Sequence, residues 1–110
     1  MSKMQALTNK RGSSLSDIAL IKAAVEEIAP RYNIARVYLF GSFARCEAGP
    51  SSDIDLCLET FHPFSYFDAG GFGYEITEKL GREVDLVSEE FMFPHVREAM
   101  LRDRILIYER

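Results

Sequence analysis

At 110 residues, with 47% hydrophobic and 27% charged side chains, the chain has the make-up of one folded globular domain with a modest core. Its net charge of −4, with basic residues gathered only at Arg97, Arg102, Arg104 and Arg110, argues against a general binder of long nucleic acid and for a small substrate or a protein partner. No apolar run approaches a membrane span and the first residues lack the apolar stretch of a secretory leader, so a cytoplasmic protein is expected.

Residues 1–13 carry no period and are expected to be a flexible N-terminus, leaving 14–110 as the folded domain. Ser14 or Ser16 reads as a helix cap, with Asp17 in the favoured first turn. Ile18, Ile21, Ala24, Val25 and Ile28 then recur at helical spacing, which predicts a helix over 15–29 that Pro30 stops. Residues 35–40 are apolar on both alternations, as in an inner strand. A short helical turn is expected over 41–46, a loop over 47–51 and a second strand over 53–59. Ser52 reads as a cap on the turn before that strand.

The stretch 61–74 packs six aromatics and three glycines into fourteen positions. A helix is expected over 66–80, with Ile76 and Leu80 inward and Gly81 as its stop. Gly70, Gly71 and Gly73 weaken it by about 1 kcal/mol each against Ala. Core packing is the expected role for most of Phe61, Phe64, Tyr66, Phe67, Phe72 and Tyr74; base stacking is the alternative. A strand follows at 83–87, with Val84 and Leu86 on one face and Asp85 on the other. A helix within 89–104 breaks at Pro94, and Val96, Met100 and Leu101 supply its apolar side. A strand at 105–108 closes the chain. This order predicts an α/β (α+β) fold: a small mixed sheet with helices packed mainly on one face.

The chemistry concentrates between residues 37 and 58. Gly41-Ser42 follows the first strand, and ten residues later comes Asp53-Ile54-Asp55. Positions i and i+2 of a strand share a face, so Asp53 and Asp55 are expected side by side. Carboxylates so close repel each other unless a cation lies between them, and oxygen-only ligands suit Mg²⁺. If the second and third strands are neighbours, Asp85 joins the pair. Three carboxylates can hold two divalent ions about 3.5–4 Å apart. Backbone N–H groups at Gly41 and the Ser42 hydroxyl can hold phosphates. Arg45, on the same side of the short helix as Ser42, either neutralises phosphate or pairs with a nearby acid. Cys57 reads as a buried filler and Glu59 as solvated. Cys46 and Cys57 have neither CxxC spacing nor a histidine cluster, which predicts free thiols rather than zinc ligands. His62 and His95 are isolated.

At these residues the sequence resembles the minimal nucleotidyltransferases of the superfamily that includes DNA polymerase beta. The resemblance lies in Gly41-Ser42 within GSFAR, Asp53-Ile54-Asp55 within SDIDL, and Asp85 within LGREVDLV, and it runs from about residue 17 to the end. It implies a nucleotidyltransferase fold and Mg²⁺-dependent transfer of a nucleoside monophosphate, AMP from ATP, with two ions held by Asp53, Asp55 and Asp85. It further implies an antitoxin paired with a HEPN-domain toxin as acceptor, in a homo- or hetero-oligomer. Two alternatives stand beside it: a non-catalytic antitoxin that neutralises by complex formation, and transfer to a small molecule. Cys46 departs from the glycine common in the family.

Overall fold

The computed structural model describes residues 15–110. Helix α1 spans Leu15–Ile28 and buries Ile21, Ala24, Val25 and Ile28 along one stripe. The expected flexible segment 1–13 and a cap at Ser14 lie outside the described residues. Ser16 is not the cap, because it already sits in the first turn. Pro30 does not end the chain's helical path abruptly: it opens a 3₁₀ turn over Ala29–Arg31, where its missing N–H costs nothing.

Strand β1 (Ile34–Phe40) leads into the single-turn helix α2 (Gly41–Ala44), and strand β2 spans Ile54–Thr60. Helix α3 spans Tyr66–Leu80 behind a capping box, in which Ser65 and Asp68 satisfy each other's backbone N–H. Gly81 ends it in the left-handed conformation at φ 73. Strand β3 (Val84–Val87), a 3₁₀ turn (Glu89–Phe91), helix α4 (Pro94–Asp103) and strand β4 (Ile105–Glu109) complete the fold. That is the expected mixed α/β architecture.

The sheet order is β3-β2-β1-β4. β1 runs antiparallel to both neighbours, whereas β2 and β3 are parallel, with α3 as the crossover a parallel pair requires. One face of the sheet is packed. Ile21 and Val25 from α1 and Phe72 and Ile76 from α3 meet Val37, Leu39, Ile54 and Leu56, all fully buried. The second face carries Tyr38, Asp55 and Asp85, with Arg104 stacked 4.1 Å over the Tyr38 ring.

Two expectations fail. Among the six aromatics of 61–74 only Phe72 is buried and Phe64 partly so; Phe61, Tyr66, Phe67 and Tyr74 are exposed, the two at the start of α3 almost completely. The core under α3 has room for one ring, because Ile76, Leu80, Val84 and Leu86 already fill it. On α4 only Met100 is buried; Val96 and Leu101 face outward.

Candidate active site

The site is built where the end of β1 meets the starts of β2 and β3. In the ladder Phe40 lies opposite Asp55, so the chain turns into α2 directly beside that carboxylate. Gly41 makes the turn at φ +75. A Cβ there would overlap Asp55 Oδ2 and sit 3.1 Å from its Cγ, so only glycine admits both the backbone angle and the carboxylate. The turn is closed by Arg45 and Glu47, whose N–H groups donate to the Gly41 and Ser42 carbonyls at 3.1 and 2.8 Å.

Asp55 and Asp85 are register partners across the parallel pair. Asp55 is pushed up to about 6 by burial first, then by the negative charges of Asp85 and Asp53, against the opposing pull of Arg45. Asp53 stands one residue ahead of β2 instead of inside it, correcting the expected start of that strand. Its charge reaches Asp55, yet among the described residues no three His, Cys, Asp or Glu side chains are drawn together closely enough to hold a metal. The donor set is all oxygen, and a divalent cation would relieve the repulsion that raises Asp55. The residues therefore fit Mg²⁺ in chemistry, with Asp55 and Asp85 opposite each other on neighbouring strands and Asp53 at their flank.

Arg45 takes the ion-pair role. Its guanidinium donates to Glu47 at 2.9 Å and to Asp103 at 3.3 Å, and these partners raise its pKa. Ser52 caps its turn as expected, accepting from Gly49 N–H at 2.9 Å. Cys57 is a buried thiol whose pKa burial pushes up, and both cysteines are free. Glu59 is half-exposed and pairs with Arg36 at 2.7 Å instead of standing alone in solvent.

Arg82 was not singled out by motif. Its Nη1 donates to the carbonyls of Gly49 at 2.9 Å and Ser52 at 2.7 Å, and its guanidinium lies 5.2 Å from the Phe43 ring centre. One side chain thus ties the loop before Asp53 to the start of the strand carrying Asp85. Beside it, Ile54 N–H donates to the Glu83 carbonyl at 3.0 Å. The only sequence signal was an arginine at a loop between a helix stop and a strand, which a solvated surface residue would share.

Cys46 occupies the left-handed region at φ 58. The backbone of this turn keeps the conformation that glycine favours, and the side chain bears the strain.

The family model described as nucleotidyltransferase domain matches residues 18–108. The chain belongs to this family of enzymes. It is 36% identical over 86 residues, 78% of its own length and 87% of the relative's, to a protein of Methanocaldococcus jannaschii named "Putative protein adenylyltransferase". A second protein of that name from the same organism is 27% identical over 96 residues, covering 86% of this chain and 98% of the relative. Among solved structures, a "putative minimal nucleotidyltransferase" superposes with a TM-score of 0.72 at 34% identity, covering 84% of this nucleotidyltransferase and 94% of that chain. A chain from a complex of a tri-AMPylated Shewanella oneidensis HEPN toxin with its MNT antitoxin matches at TM-score 0.62 and 15% identity, covering 84% and 72%; at that identity the likeness is of fold. No helix among the described residues is long and apolar enough to cross a membrane.

Proposed function

We propose that this nucleotidyltransferase moves AMP from ATP to a hydroxyl of a protein partner, a HEPN-domain toxin that it restrains as an antitoxin. The observation that carries the reading is the Asp55–Asp85 pair, set opposite each other on neighbouring strands and backed by Gly41, within a chain that matches the nucleotidyltransferase family over residues 18–108. The acceptor class is supported by the adenylyltransferase names of the relatives, and the partner class by the fold neighbour solved with an AMPylated HEPN toxin.

Asp53, Asp55 and Asp85 would hold Mg²⁺. When bound, the metal neutralises triphosphate charge and lowers the pKa of the acceptor hydroxyl. The Gly41–Ser42 turn binds the β- and γ-phosphates through backbone N–H and hydroxyl donors, and Arg45, anchored by Glu47 and Asp103, adds positive charge beside Asp55. The acceptor oxygen forms its bond to the α-phosphorus as the bond to pyrophosphate breaks. The hydroxyl proton passes to the Asp55–Asp85 pair. Since little covalent work falls to the protein, positioning and charge stabilisation supply the rate.

The test is incubation with ATP labelled at the α-phosphate, Mg²⁺ and the protein encoded beside this one in its genome. Label should appear on that protein, and Asp53→Ala with Asp55→Ala should lower it by about 10³-fold or more. Undiminished labelling in the double variant overturns the assigned roles. If the variant neither labels nor loses its neutralising effect, complex formation alone is the antitoxin's action.

A further inference from the structure

The strand that carries Asp85 is an edge of the sheet. Its backbone orientation follows from one bond. The Glu83 carbonyl accepts from Ile54 N–H, so by strand alternation Glu83, Asp85 and Val87 turn their backbone groups toward β2. Val84 and Leu86 therefore turn theirs to the outer edge, which no strand among the described residues pairs. Their side chains point the other way from Asp85, toward α3, into a groove of about 610 Å³ between that helix and β3.

The glycines of α3 shape this groove. A Cβ on Gly70 would meet nothing within 4 Å, and one on Gly73 would press Leu86 Cδ1 at 3.3 Å. At these two positions the wall is bare backbone, between the side chains of Tyr74, Thr77 and Glu78 that line the rest of the helix side. The charged residues lining the groove, Glu78 and Glu83, are both acidic, and Asp85, Asp55 and Asp53 lie across the edge on the other face.

We propose that the open edge of β3 receives an extended, basic segment of the protein acceptor as an added strand. The reading rests on the proposed transfer to a protein. The segment pairs with the outward N–H and C=O groups of Val84 and Leu86. Neighbouring strands lie about 4.8 Å apart and side chains alternate, so the residue opposite Asp85 presents its hydroxyl on the Asp85 and Asp55 face. Its apolar neighbours on either side enter the groove at Gly70 and Gly73. Main-chain pairing gives affinity and the alternate pockets give selectivity. Basic flanks match Glu83 and the aspartates. A second copy of this chain is the poorer occupant, since pairing two β3 edges would bring two such acidic rims together.

The probe is a blocked peptide, Lys-Arg-Val-Tyr-Val-Arg-Lys, added to the full chain with Mg²⁺ and ATP. Amide exchange should slow about 10-fold or more at Val84 and Leu86, while Asp85, already bonded to β2, changes little. The tyrosine should take up AMP. Gly70→Leu raises helix propensity and fills the groove, so it should keep the fold and ATP binding yet lower labelling about 10-fold. A peptide with glutamates in place of its four basic residues should give neither effect. Unchanged exchange at Val84 and Leu86, or full labelling in Gly70→Leu, overturns the edge as the docking site. So does protection that is present without peptide and grows with protein concentration, which would mark a second copy. Protection without AMP transfer leaves the edge standing and removes the proposed reaction; transfer without protection does the reverse.

Discussion

The two faces of the sheet are built on opposite terms. On the face under α1 and α3 the core is apolar apart from the buried Asp17 of α1, and Phe72, Ile76, Val37 and Leu56 exclude water completely. On the other face Asp55 is half-buried between two further carboxylates, and its charge is disfavoured where it stands. Both faces belong to the same strands, because alternation sends Ile54 and Leu56 one way and Asp55 the other. The apolar face supplies the stability that the acidic face spends, so damage to each should read out differently: loss of folding in one case, loss of chemistry in the other.

The largest effect should come from the packed face. Phe72→Ala empties the space of the one fully buried ring on α3, which meets Tyr32 edge-on at 5.7 Å, and should cost about 3–5 kcal/mol in a denaturant titration. Nucleotidyl transfer per folded molecule should change little. Gly41→Ala comes next and crosses the two faces. It forces a Cβ into Asp55 and an L residue into φ +75, so stability should fall by about 2–3 kcal/mol while transfer is lost even in the fraction that folds. If Gly41→Ala keeps full activity, the turn does not position Asp55.

Much of the fold was legible because its punctuation is chemical. Pro30, Gly41, Gly81 and Pro94 set the element boundaries to within a residue or two, and apolar spacing set the inward faces of α1 and β3. The face on which Asp55 and Asp85 each stand was legible too, since strand alternation fixes a face before any partner is known, whereas their pairing depended on two strands being neighbours, which the structure supplies. What one sequence could not carry is which surface an element meets. Tyr66 and Phe67 have the composition of core residues and stand in solvent, because burial depends on how much space the sheet leaves. Arg82 was illegible because it holds backbone carbonyls 33 and 30 positions away in the chain, and a carbonyl leaves no mark in the sequence.

A smaller effect should sharpen the contrast through pH. Asp55 has a folded pKa of about 6 against 3.8 for an ordinary carboxyl, so the native state holds this proton more tightly than the unfolded chain. Its favourable contribution is therefore complete below about pH 4 and is lost as pH rises through 6. Asp55→Asn removes that loss. In metal-free protein it should raise stability by about 1 kcal/mol at pH 7.5, allowing for partial exposure, and by almost nothing at pH 4. Thermal melts at the two values check it. An equal gain at both would mean that repulsion among the carboxylates is not what strains this face. Added Mg²⁺ should stabilise the parent chain and not the variant.

The smallest expected effect lies at the junction of the two faces. Cys46 ends the α2 turn at φ 58, where an L side chain brings its Cβ too near the following carbonyl, at about 1 kcal/mol. Glycine removes that contact but makes the unfolded chain freer, which offsets part of the gain. Cys46→Gly should therefore stabilise the protein by about 0.5 kcal/mol, and Cys46→Ala, which keeps the Cβ, should not. Neither should alter nucleotidyl transfer, because the N–H groups that close the turn, those of Arg45, Cys46 and Glu47, bond to Gly41, Phe43 and Ser42 through backbone alone, whatever the side chain at 46. A fall in transfer with Cys46→Gly at unchanged stability would instead assign the thiol a part in the site, and would make the residue at this turn a matter of chemistry.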